Sequence, residues 1–141
     1  MMKAALLATA LLVLPAFASA QEAEEPKSQN QLNVKHCHDA DEAQATLDLT
    51  YQAVVKEYSY DPRFLKYLET AQKAWVAFRD SEINAVFPPE YRHAYGSMEK
   101  TCECDLRKKI IYARIMELEQ WRRGVDISQG CNGTMKEYKT Q

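Results

Sequence analysis

The sequence predicts an all-α fold, a small antiparallel three-helix bundle stapled by disulfides. Three observations carry that expectation. Apolar residues recur at three- and four-residue spacing over three long segments, no segment alternates as a strand would, and an even number of cysteines follows an export signal.

Residues 1–20 read as a cleavable signal peptide. Lys3 gives the positive start, Leu6 to Leu14 an apolar run too short to anchor in a bilayer, and Ala18-Ser19-Ala20 a small-residue site cut after Ala20. The expected location is periplasmic or secreted, with no membrane insertion after cleavage. Cleavage takes one lysine from the 18 basic residues and none of the 20 acidic ones, so the mature formal charge is −3. Mild acidity argues against a nucleic-acid partner, which needs a basic face, and suits a cationic one.

The mature chain is long enough for one domain. Residues 21–36, polar and nearly free of large apolar side chains, read as a flexible leader, and the helical domain occupies residues 37–124. Asp39 and Glu42 have the spacing of a capping box, after which Ala40, Ala43, Leu47, Tyr51, Val54 and Tyr58 keep helical period. Asp61-Pro62 begins the second helix, because Asp61 can accept from free amides and Pro62 needs no donor in the first turn. Phe87-Pro88-Pro89 ends it. The third helix is expected from an N-cap at Ser97 to Arg123, with Gly124 as its stop and a wide apolar face. Residues 125–141 form a polar tail with a turn at Asn132-Gly133, tethered through Cys131.

Cys37, Cys102, Cys104 and Cys131 are expected to form two disulfides. On a helix, the Cys102 and Cys104 side chains point about 200° apart, so each should take a distant partner. The connectivity stays open. A metal site built from His36, His38 and the cysteines competes with this reading, but the spacing matches no standard ligand pattern, and no metal or other cofactor is expected. Nor does any nucleophile-base arrangement or marked carboxylate pair argue for catalysis, so the chain is not expected to be an enzyme.

Two stretches stand out. The first is Ala71-Gln72-Lys73-Ala74-Trp75-Val76-Ala77-Phe78-Arg79-Asp80, in which Gln72, Trp75, Arg79 and Glu82 recur on one helical face. Trp75 and Phe78 are expected in the core, with Arg79 lying along them toward water. The second is the connection from Pro89 to Met98, longer than two adjacent helices need and rich in aromatic, basic and hydroxyl groups.

Gln72, Trp75, Phe78, Arg79 and Asp80, preceded by Cys37-x-x-Ala40 and Leu47-Asp48-x-x-Tyr51 and followed by Gly96-Ser97 and Arg114-x-x-Glu117-Leu118, resemble the LprI-like lysozyme-inhibitor family. The similarity spans about residues 37 to 120. Asp48 stands where the family usually has Asn, Ile83 where a cysteine commonly follows the Arg-Asp pair, and the late cysteine is doubled as Cys102 and Cys104. The resemblance implies a small helical, disulfide-containing envelope domain that binds a lysozyme-type muramidase and inhibits it. On loop chemistry, Tyr91, Arg92, Tyr95 and Ser97 are the candidate contacts: Arg92 for a cleft carboxylate, the tyrosines for sugar subsites, and Ser97 as a hydrogen-bond donor. The alternatives are a non-catalytic envelope interaction protein using the face of Gln72, Trp75 and Arg79, and an exported metal binder.

Overall fold

The computed structural model describes residues 28–126, 128 and 130–137, with the side chain of His93 outside the described set. The expected signal peptide and residues 21–27 of the leader lie outside the described residues. Among the described residues the chain forms three α-helices, α1 (Gln29–Glu57), α2 (Pro62–Val86) and α3 (Glu99–Arg123), with a short 3-10 helix, η1 (Pro89–Ala94), before α3. The β-type pairing among them is an isolated bridge between Val125 and Glu137.

α1 begins well before Asp39. Ser28 is its N-cap: the Ser28 hydroxyl accepts from the Gln31 amide at 3.3 Å and the Gln31 side chain accepts from the Ser28 amide at 2.7 Å. The leader reading is therefore corrected from Gln29 onward, and Asp39 and Glu42 lie inside the helix, where Asp39 pairs with Lys35 at 2.9 Å. α2 starts as its sequence indicates, with Asp61 accepting from the Phe64 amide at 3.0 Å and Pro62 in the first turn. α3 does not use Ser97 as a cap. Its N-cap is Met98, which has no side-chain capping bond.

α1 and α3 run side by side in the same direction. Gln29 meets Thr101, Cys37 meets Cys104, Asp41 meets Arg107 and Glu57 meets Arg122, so both residue numbers rise together along the seam. α2 runs the other way, pairing Gln44 with Arg79, Gln72 with Arg114 and Phe64 with Trp121. The backbones of α1 and α3 stay close over much of their length, whereas α2 approaches α3 at few places.

The buried positions explain that difference. In α1 they are Ala40, Ala43, Leu47, Thr50 and Val54, and in α3 Thr101, Cys104, Ile111, Ile115 and Leu118. Both series keep the three-four spacing of a coiled-coil seam. Ala40 and Ala43 are small enough to let the helices approach. Thr50 satisfies its hydroxyl by donating to the Thr46 carbonyl at 2.9 Å, so burying it strands no polar group. From α2 only Phe64, Leu68 and Ile83 are buried. Trp75 packs half-buried against the core, and Phe78 is 53% exposed, against the expectation that it is core. The apolar face of α3 is also narrower than expected, since Ala113 and Glu117 face solvent.

The far end is closed around Tyr58, 1% exposed, whose hydroxyl donates to the Trp121 carbonyl at 2.9 Å and accepts from the Lys136 amide at 3.1 Å. Gly124 ends α3 at φ 86°, and a Cβ there would lie 2.6 Å from the Lys136 carbonyl oxygen, so this position needs glycine. The tail is held by these contacts and by an ion pair between Lys136 and Glu57. It is not held through Cys131.

One disulfide is present among the described residues, Cys37–Cys104, joining α1 to α3. Cys102 and Cys131 are free and exposed, which corrects the second expected bridge. The reason is geometric. Cys102 sits in the first turn of α3 and Cys131 follows its far end, and the helix between rises about 30 Å, where a disulfide tolerates a Cα separation of about 7 Å. Bonds that hold Lys136 to Tyr58 keep the tail from reaching back.

Replacing Cys37 and Cys104 together by serine removes a cross-link between residues 67 apart, for which loop-closure entropy gives a loss of about 4 kcal/mol. Urea unfolding should read that loss, with helical content at zero denaturant unchanged.

Candidate functional site

The start of α1, the end of α2 and the start of α3 converge on one pole of the bundle, and η1 caps it. Phe87 leaves α2, Pro88 and Pro89 prevent its continuation, and the Tyr91 amide donates to the Pro88 carbonyl at 3.0 Å to close the 3-10 turn. Tyr95 meets Phe87 edge-on at 6.0 Å between ring centroids. Gly96, at φ 78°, then turns the chain into α3.

Beneath η1 lies a polar cluster. The Thr101 hydroxyl, almost fully buried, donates to the Asn33 side-chain oxygen at 2.6 Å, and the Gln29 amide donates to both Asn33 at 3.0 Å and Thr101 at 3.1 Å. The Asn33 amide in turn donates to the Ser97 carbonyl at 3.5 Å, tying the connection to α1. The Cys37–Cys104 disulfide sits just below.

All four candidate contact residues lie on this pole. Tyr91 is 62% and Tyr95 44% exposed, and Ser97 is exposed. Arg92 is half exposed and faces Glu103 across a long 3.7 Å ion pair, while Glu103 also takes Lys100 at 3.4 Å. Arg92 therefore gives up little by leaving Glu103 for a better partner, since the contact is long, Arg92 is itself half exposed, and Glu103 keeps Lys100.

The motif residues of α2 are elsewhere and do something different. Arg79 donates from Nη1 to the Gln44 side-chain oxygen of α1 at 2.8 Å, pairs with Asp80 at 2.8 Å, and stacks over Trp75 at 5.5 Å from the ring centroid. Gln72 accepts from Arg114 Nε of α3 at 3.0 Å. They tie α2 to its two neighbours.

A charged seam along α1 and α3 was missed by sequence reading. Arg107 donates to Asp41 at 2.6 Å, Lys108 approaches Asp39 at 3.5 Å, and His36 Nδ1 meets Asp105 at 2.8 Å. The hydrogen bond with His36, reinforced by Lys108, holds the Asp105 carboxyl below the ordinary carboxylate range. At the other pole Lys136, and after it Arg122, does the same for Glu57. Opposite charges at matching intervals were the available signal, but they are read only once the helices are known to be parallel. Cys37 and Cys104 are spent on the disulfide, and His36 is engaged by Asp105. Among the described residues no group of three metal-ligating side chains is assembled.

A family model described as Lysozyme inhibitor LprI matches residues 19–118. The chain belongs to the LprI lysozyme inhibitor family. The match takes in α1, α2, η1 and most of α3, and leaves out the tail. No curated protein and no solved structure matches the chain. Within this LprI domain Ile83, at the position where the sequence resemblance places a cysteine, is buried as an ordinary core side chain. No helix among the described residues is long and apolar enough to cross a membrane.

Arg79→Ala should destabilise by about 2 kcal/mol, the loss of a charge-assisted hydrogen bond and a cation–π contact. Arg79→Lys should recover only part of it, lacking the planar fork; thermal melting checks both.

Asp105 and Glu57 have folded-state pKa values below their unfolded ones. The unfolded state then binds more protons as pH falls through the carboxylate range, so their contribution is complete above about pH 5 and is lost progressively below about pH 4. Melting temperature measured across that window should fall with acid, and less steeply in Glu57→Gln.

Proposed function

We propose that this protein is an exported, non-catalytic inhibitor of a lysozyme-type muramidase, and that the η1 pole is the surface it presents. Membership of the lysozyme inhibitor family over residues 19–118 carries the reading. The chemistry of the pole supports it. Muramidases of this type work with two carboxyl groups in a cleft that binds sugar rings. A half-exposed guanidinium beside an exposed phenol suits both features, Arg92 pairing with a cleft carboxylate and Tyr91 lying in a sugar subsite.

Rigidity matters as much as composition. Pro88 and Pro89, the 3-10 turn, the Phe87–Tyr95 contact and the Asn33–Ser97 bond order the connection before any partner arrives, so binding loses less conformational entropy. The mature charge of −3 favours approach of a basic enzyme and acts mainly on the association rate. A second reading, a structural interaction protein of the envelope, draws on exposed Phe78, Tyr112 and Met116 on α2 and α3.

Titration of a c-type lysozyme with residues 21–141, disulfide intact, reads peptidoglycan hydrolysis. Stoichiometric inhibition is expected. Arg92→Ala should weaken it about thirtyfold or more, as for one partner of an interfacial charge pair worth about 2 kcal/mol, with an unchanged melting temperature. Inhibition indifferent to Arg92 would remove η1 from the contact, and none at high micromolar concentration would reject this target in favour of the envelope reading.

A further inference from the structure

At the pole opposite η1, a cleft of about 420 Å³ opens between α2, α3 and the tail. That volume is in the range of small-molecule sites. Its apolar wall includes Phe64, Leu68 and Trp121, with the Phe64 and Trp121 rings 4.7 Å apart. Among the described residues that line it, the charged side chains are Arg63 and Arg114, and none is a carboxylate.

The two arginines are held differently. Arg114, with its side chain 13% exposed, is fixed by donating from Nε to Gln72 at 3.0 Å and from Nη1 to Glu117 at 2.8 Å, and its Nη2 has no protein acceptor among the described residues. The Arg63 side chain has no hydrogen bond or ion pair among the described residues, although it lies in the first turn of α2. A cation there gains nothing from the helix dipole, and its guanidinium is left uncommitted at the cleft.

We propose that this cleft binds a medium-chain aliphatic carboxylate, its chain lying along Phe64, Leu68 and Trp121 and its head group between Arg63 and Arg114. An apolar wall larger than its polar rim selects an amphiphile over inorganic phosphate, and a carboxylate matches the two-pronged guanidinium. The site is separate from the proposed inhibitory pole.

The test is calorimetric titration of the full mature chain with sodium octanoate, with 1-octanol as the uncharged comparison. Saturable one-to-one binding of octanoate, tighter than octanol, is expected. Arg63→Ala, at an exposed position that leaves the fold intact, should weaken octanoate about ten- to a hundredfold and leave octanol unchanged. Ala71→Trp, which fills the cleft from its lining, should abolish both. Absence of saturable octanoate binding, equal affinity for octanol, or binding indifferent to Arg63→Ala would each overturn the assignment.

Discussion

Two helices that lie parallel cannot be joined by a tight turn, and this constraint shapes the molecule. α1 and α3 share the closest seam, so the chain must travel back the full length of α1 before α3 can begin. α2 is that return. Its 25 residues match the 25 of α3, and its two ends place Tyr60-Asp61 at one pole and Pro88-Pro89 at the other.

The seam is fixed at both ends. The disulfide and the Asn33–Thr101 cluster set the register at the η1 pole, and Tyr58 with Trp121 sets it at the other. Between them the three-four spacing of small and branched side chains fills the interface. The return helix is held more loosely: a few apolar anchors, and polar ties through Gln72 and Arg79. Loose packing on that side leaves room for a cleft where α2 begins, while the tightly registered end carries a stiff, exposed connection. The two poles therefore differ in kind, one a protruding surface and the other a recess.

Helix content and most boundaries were legible in the sequence because they depend on local chemistry: Asp61-Pro62, Phe87-Pro88 and Gly124 act wherever the rest of the chain goes. What the sequence hid depends on pairing. Ser28 and Gln31 cap a helix in a stretch whose polar composition reads as a leader, and its first turns are ordered by contact with Thr101 on another helix. Phe78 looks like core from its spacing, yet α2 contributes only a narrow stripe. The pairing of Cys37 was one of several open possibilities until the parallel register selected Cys104. The candidate residues of the connection were legible as chemistry, and their shared exposure at one pole required the fold.

Cys102 and Cys131 are exposed thiols at opposite ends of an elongated body. Two thiols on each copy, too far apart to bridge within it, allow every copy to be linked to more than one neighbour. Oxidation of the purified protein therefore links copies through either thiol. Masking either thiol limits such linkage to a single pair, so handling under air and storage concentration become matters of polymer chemistry for this small chain.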